Sequence, residues 1–254
     1  MAVIAVFNQK GGVGKTTTCL NVTAALSIAE LSPIALDLDP QGHLTLASGI
    51  KNVRSENSMV AFFKNKTPLA SLLRDTKRGW QAIPAVLELA KIDALLGSDP
   101  QAAGLLKKGL NDDLALTGAP IMIDCCPMLG VLTLNALLAA DRVLIPVSAD
   151  FLSMQGVNRL DSALNVLEAK LKRKIERRIV VTRFDARRKL AIEIYDKLQA
   201  KFGDLVCKTR IGETVGLATS PMYGQDIFEY APHSPGAVDY HGLAQELWDS
   251  GFFV

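Results

Sequence analysis

Lys10-Gly11-Gly12-Val13-Gly14-Lys15-Thr16-Thr17 is the stretch that decides the fold. Gly14-Lys15-Thr16 supplies the core of a glycine-rich phosphate loop. Before it, Val3-Ile4-Ala5-Val6-Phe7 is a short apolar run with β-branched residues, which predicts a buried parallel strand. After it, Thr16 to Glu30 reads as a helix with Cys19, Val22, Ala25, Leu26 and Ala29 on one face. Strand, glycine loop and helix together form the setting in which such a loop cradles phosphate. Nucleotide contacts are expected from Gly11, Gly12, Val13, Gly14, Lys15, Thr16 and Thr17, whose backbone N–H groups would wrap the phosphates at the positive end of the helix. Lys15 would neutralise the β- and γ-phosphates, and the Thr16 hydroxyl would ligate Mg²⁺. Lys10 is one charge more than the loop needs. It suggests a dimer in which each subunit reads its partner's nucleotide.

The rest of the chain is consistent with that beginning. At 254 residues, about half of them hydrophobic, it can bury one large core, and residues 1–254 read as one domain. Four cysteines, at 19, 125, 126 and 207, show neither metal-ligand spacing nor a secreted framework and suit a reducing cytosol. The first strand follows Met1 directly, so no leader is expected. The longest apolar stretch, Met128 to Ala149, is broken by Asp141, Arg142 and Pro146, so no membrane span is expected either. Net charge is only +2, but it is unevenly placed. Lys170 to Lys189 holds ten basic residues against Glu176 and Asp185, while the remainder holds 18 basic and 24 acidic residues, a net of −6. A mildly acidic body with one basic segment is a footprint suited to a polyanion.

Further strands are expected at Ile34–Leu38, Gln81–Ile83, Pro120–Asp124, Val143–Val147 and Ile179–Thr182, with helices at Leu132–Ala140, Val157–Leu171 and Leu190–Phe202 between them. The alternation predicts an α/β fold, a mainly parallel, doubly wound sheet with helices on both faces. Ser48 to Arg78 is mixed in charge and poorly periodic. Met59 to Phe63 reads as a short helix and the remainder as surface.

Active residues in such a sheet gather at the carboxyl ends of the strands. Asp37 and Asp39 lie two apart on an extended segment that Pro40 and Gly42 then turn, so they project the same way. Asp39 is assigned to the attacking water and Asp37 to the metal shell. The plainer alternative is that Asp37 only caps the next helix. Asp124 ends an apolar strand, where a charge is costly unless paired, so a metal-bound water is its natural partner. Cys125-Cys126-Pro127-Met128-Leu129-Gly130 then reads as a switch loop that includes Pro127, with Gly130 free to approach the γ-phosphate. The adjacent cysteines read as packing residues.

These motifs make the chain resemble the ParA family, the deviant Walker-type ATPases that include MinD. Asn8 to Thr18, Asp37 to Gly42, Ile83-Pro84-Ala85, Asp124 to Leu137, Asp141 to Val147, Gly224 to Tyr230 and Ser234 to Tyr240 match its pattern in order. The chain is similar to the short members, which lack an N-terminal helix-turn-helix. The resemblance implies ATP and Mg²⁺ as cofactors, and an ATP-dependent homodimer with Lys10 acting catalytically across the interface. It implies binding of nonspecific double-stranded DNA on the nucleoid of the cytoplasm. A ParB-like or cargo-adaptor protein would stimulate hydrolysis. The output would be the positioning of a plasmid, a chromosome region or a protein compartment such as a carboxysome.

The departures carry expectations too. Family members often have Pro where Cys126 stands, so a softer switch loop is expected. An arginine that many members use on DNA falls at Gly216 and is missing, so DNA binding must use other residues. Arg183, Arg187, Arg188 and Lys189 are the candidates, with Lys208 and Arg210 behind them. Thr182 and Arg183 also stand where the family approaches adenine, so Arg183 has two possible roles, and Pro221 and Met222 are expected near the base. Two other members of the superfamily set the alternatives. A MinD-like membrane switch needs a basic amphipathic tail, but Leu243 to Val254 has no lysine or arginine, and Leu243 to Trp248 reads as a docking helix with no stable membrane anchor. An electron-transfer or iron–sulfur carrier needs cysteines that meet across a dimer.

Overall fold

Side chains along the central strand alternate between two cores. Val3, Ala5 and Phe7 belong to one and Ala2, Ile4 and Val6 to the other, the two-residue period of an extended chain buried on both faces. The computed structural model describes residues 2–97, 99 and 101–253. Among them, eight strands form one sheet: β1 (Val3–Val6), β2 (Ile34–Leu38), β3 (Arg74–Asp75), β4 (Gln81–Ile83), β5 (Ile121–Cys125), β6 (Arg142–Ser148), β7 (Glu176–Phe184) and β8 (Val206–Gly212). Their order is β3-β4-β2-β5-β1-β6-β7-β8, and only the β3–β4 pairing is antiparallel. The expected doubly wound sheet is therefore present. The expectations missed its two edges, β3 and β8.

Helices cover both faces. In chain order they are α1 (Lys15–Ile28), α2 (His43–Ala47), α3 (Met59–Asn65), α4 (Lys91–Leu96), α5 (Leu105–Asp113), α6 (Val131–Ala139), α7 (Phe151–Leu171), α8 (Lys189–Phe202), α9 (Val215–Thr219), α10 (Ile227–Tyr230) and α11 (Pro235–Asp249). Helices α3 to α8 build one core, with Leu106, Leu132, Leu160 and Leu198 among the contributors. Helices α1, α2, α9, α10 and α11 build the other. Helix α1 is buried over most of its surface, Thr18, Asn21 and Thr23 included, because α11 covers the face turned away from the sheet. The short helix expected at Met59 to Phe63 is present as α3, and the remainder read as surface is corrected in part. Leu69 and Leu72 are buried with α3, and Gly109 has no side chain because the Phe62 ring lies 2.5 Å from where its Cβ would stand. Burial comes from long-range packing that local periodicity does not report.

Strand β8 lies at the edge of the sheet, where backbone N–H groups need partners from elsewhere. Helix α11 supplies them. Glu246 accepts from Lys208 N at 2.6 Å and Thr209 N at 2.8 Å, and Asp239 accepts from Gly212 N at 2.8 Å. With Tyr240, Leu243 and Leu247 buried, α11 is a docking helix.

The basic segment does not make one patch. Its first half lies at the start of β7, far from the strand's carboxyl end, since nine residues of strand span about 30 Å. There Arg173 donates to the carbonyls of Leu138 and Ala140, and Arg178 pairs with Glu176. Arg177 is buried and meets Asp161 at 2.6 Å and buried Glu168 at 2.7 Å. These charges build the fold. Arg177→Ala leaves Glu168 buried without its guanidinium, with only Ile175 N and the exposed Lys174 in reach, and should lower the unfolding free energy by about 3 kcal/mol, read by urea denaturation. A loss below about 1 kcal/mol would mean the pair behaves as a solvated one.

Candidate functional site

Strand register brings the acidic residues to the phosphate loop. Val6 pairs with Asp124, and Asp37 pairs with Asp124 from the other side. A cleft of about 910 Å³ opens above these strand ends. Its floor is the glycine loop, with Gly12 at φ +72° and Gly14 at φ +81°, conformations that favour glycine. Gly14 also starts α1 with no side-chain cap, which leaves the helix's first amide donors for an anion.

Lys15 is buried there and donates to the Lys10 carbonyl at 3.1 Å. Burial lowers its pKa, while Asp124 and Asp39 work to raise it. The Thr16 hydroxyl donates to Asp124 Oδ2 at 2.7 Å. Asp124 Oδ1 is buried with no hydrogen-bond partner. Burial, then the neighbouring Asp37, drive the Asp124 carboxyl well above the usual range. An orphaned carboxylate oxygen next to a hydroxyl at a phosphate loop fits a hard divalent cation such as Mg²⁺. No group of three or more His, Cys, Asp or Glu among the described residues could hold a metal unaided, so ligand phosphates and water must complete the shell.

Asp37 and Asp39 separate in role. Asp39 lines the cleft, and its Oδ1 accepts from Gln41 N at 2.9 Å. Asp37 is fully enclosed and not part of the lining. Its Oδ2 accepts from Thr45 N at 2.8 Å and Thr45 Oγ1 at 2.6 Å, and its Oδ1 accepts from Asp39 N at 3.1 Å. Burial raises its pKa to about 6. The metal-shell assignment of Asp37 gives way to the plainer alternative: it ties α2 to the end of β2 and so fixes Asp39. Spacing alone could not tell them apart, because the turn at Pro40 sends one carboxylate into the fold.

Pro127 lines the cleft at the switch loop. Cys126 Sγ lies 3.3 Å from Thr133 Oγ1, which also donates to the Met128 carbonyl at 2.6 Å, so the Thr133 hydroxyl ties the loop to α6. Burial pushes both the Cys125 and Cys126 thiols up, Cys125 strongly, and both side chains pack in the core. One side of Gly130 is filled. The Asp93 carboxylate on α4 stands where a Gly130 Cβ would be, and it accepts from Leu132 N at 3.3 Å. Asp93 went unnoticed in the sequence, since only tertiary contact links it to the loop.

Lys10 points away from its own cleft. Its ammonium lies 2.5 Å from both oxygens of Asp150 at the start of α7, with Ser153 Oγ at 3.2 Å and Ser148 Oγ at 3.4 Å. Lys10 and hydrogen bonds from the two serines draw the Asp150 pKa down, against burial.

The far half of the cleft is built from the ends of β7 and β8. Thr182 Oγ1 donates to the Val13 carbonyl at 2.9 Å, and Arg183, Ile211, Glu213, Leu217 and Ala218 continue the wall. Pro221 and Met222 lie outside it. They sit on the turn Ser220–Tyr223, which packs onto α2 through a close approach of Gly224 to Gly49. Of the two roles expected for Arg183, its place in the cleft wall suits the nucleotide one. Arg187 and Arg188 are exposed and share Asp185, and Lys189 and Lys208 are exposed. Arg210 stacks on Phe184 and Tyr195, 4.6 and 4.9 Å from the ring centres.

A glycine loop after a central parallel strand, with carboxylates on the neighbouring strand ends, defines a phosphate-loop nucleotide hydrolase. Residues 1–177 match the sequence pattern of a family described as an AAA domain. The chain is 38% identical over 248 residues to the chromosome-partitioning ATPase Soj of Thermus thermophilus, covering 96% of this chain and 94% of that one. It is 34% identical over 247 residues to the chromosome partitioning protein ParA of Myxococcus xanthus, covering 96% and 87%. Among solved structures, cobyrinic acid a,c-diamide synthase of Mycobacterium smegmatis with an ATP analog and magnesium superposes with a TM-score of 0.84 at 28% identity, covering 99% and 97%. The chain belongs to the ParA/Soj family of partitioning ATPases.

Two variants probe the cleft. Lys15→Ala should abolish nucleotide binding in calorimetry with the fold intact. Gly130→Ala forces the switch loop off Asp93 and should lower kcat about tenfold while KM stays within about threefold.

Proposed function

We propose that the chain is an ATP-dependent dimeric switch that binds DNA without regard to sequence and positions a cargo, with a ParB-like or adaptor protein stimulating hydrolysis. The observation that carries this reading is the placement of Lys10. The loop's second lysine contributes its carbonyl to its own cleft, while its ammonium is held at the rim by Asp150. Its partner is a half-exposed carboxylate, and such pairs are worth about 1 kcal/mol or less, so exchange for phosphates of a second subunit is inexpensive. The relatives' names supply the partitioning role, and the nucleotide and magnesium of the Mycobacterium smegmatis structure supply the ligand class.

In this reading the residues divide the work of phosphoryl transfer, which is mostly positioning and charge stabilisation. Lys15 and the loop amides hold the β- and γ-phosphates. Thr16 and Asp124 hold Mg²⁺, which neutralises charge on the transferring group when bound. Asp39 orients the attacking water, and Asp37 holds Asp39. Lys10 reaches the partner's γ-phosphate, so the loss of that phosphate dissolves the dimer. Arg187, Arg188, Lys189 and Lys208 are the basic residues offered to DNA, with Arg210 stiffened by its aromatic neighbours.

Asp39→Ala tests the switch. It should form a dimer with ATP but not with ADP, hydrolyse very slowly, and retain random-sequence DNA only in that dimer, with affinity falling steeply as salt rises. Gel filtration and DNA retention run in parallel read this out. A sequence-specific footprint without ATP would refute the proposal. Lys10→Ala should bind ATP yet form no productive dimer.

A further inference from the structure

The half of the cleft at the ends of β7 and β8 is not described by phosphate chemistry. Ile211, Leu217 and Ala218 give it an apolar wall, suited to the flat face of a base. Its two charged side chains, Arg183 and Glu213, are paired with each other. Arg183 Nε and Nη2 lie 3.2 and 3.1 Å from Glu213 Oε1. The same guanidinium donates through Nη1 to the Gly12 carbonyl at 3.2 Å. Arg183 therefore spans from the phosphate loop to the turn between β8 and α9.

The backbone is bent to make this span. Arg183 has φ +52°, a conformation unusual for a residue with a side chain, one position after Thr182 is tied to Val13. A nucleotide seated on the loop would have its base against the apolar wall and its sugar in between, alongside the span. Sugar hydroxyls are hydrogen-bond donors, and a carboxylate is an acceptor suited to them. Both Arg183 contacts fall on Oε1 of Glu213, which leaves Oε2 to accept from a ligand.

We propose that Arg183 and Glu213 form a clasp for the ribose of the bound nucleotide. Glu213 accepts a sugar hydroxyl, and Arg183, fixed on the Gly12 carbonyl, positions that carboxylate. The inference rests on the cleft being an ATP site. It also accounts for the strained backbone at Arg183, which neither a DNA contact nor a plain surface pair requires.

The test is calorimetric binding of ATP, 2′-deoxy-ATP and 3′-deoxy-ATP with Mg²⁺ to the full chain. The unaltered protein should bind at least one deoxynucleotide about fivefold more weakly than ATP. Glu213→Gln should bring that ratio to within about twofold by weakening ATP alone. Arg183→Lys, which keeps the charge but not the planar fork, should reduce the ratio part of the way. Both side chains are about half exposed, so the variants should keep the fold, and thermal melting checks this. Equal binding of all three nucleotides by the unaltered chain, or discrimination that survives Glu213→Gln, would overturn the clasp alone. Folded, unaltered protein that binds no ATP would overturn the ATPase reading and the clasp with it.

Discussion

A charge imbalance in a dry place organises this molecule. Asp39 and Asp124 face one ammonium, Lys15, and Asp37 is packed beside them at the ends of neighbouring parallel strands. Water is largely excluded there, so each carboxylate must find a donor or hold its proton. Asp37 finds Thr45 and the Asp39 amide, and Asp39 finds Gln41 N. Asp124 finds Thr16 for one oxygen and nothing for the other. The remaining need is for positive charge delivered with anionic oxygens around it, which describes a metal-bound polyphosphate. The strand order, the glycine loop and the turn after β2 are the means by which residues far apart in sequence share that need.

The part of the site that is legible in the sequence is the part whose chemistry is local. Gly12 and Gly14 bend the chain, Lys15 and Thr16 follow at once, and Asp124 ends an apolar run. Each signal sits within a few residues of the strand that positions it. What escapes is carried by contacts between distant elements. Asp93 reaches the switch loop from α4, Asp150 reaches Lys10 across 140 positions, and Glu213 meets Arg183 only because β8 lies beside β7. Missing β8 as a strand meant missing the wall of the cleft that it carries. Pro221 and Met222 were expected there from the family resemblance, yet they sit on a turn outside the cleft, where Met222 is exposed.

Charge read along the chain is divided by the fold for a related reason. Ten basic residues lie within Lys170 to Lys189, but a strand runs through the middle of them. Arg173, Arg177 and Arg178 go to carbonyls and carboxylates at one end and Arg183 to the cleft at the other, and the exposed charges split into Lys170, Lys172 and Lys174 before the strand and Arg187, Arg188 and Lys189 after it. Composition counts charges, and folding decides which of them stay available.

The carboxylates that α11 lends to β8 have a consequence for assembly. An uncovered edge strand is a template on which another chain can add a strand, the route to aggregates and fibres. Here Glu246 and Asp239 occupy N–H groups of β8, and the strand's exposed Lys208 and Arg210 add charges that a docking strand would have to bury. The sheet is closed to growth at that border. Copies of this chain are steered away from strand addition there, and a helix near the end of the described chain acts as a guard against misassembly as well as a piece of the core.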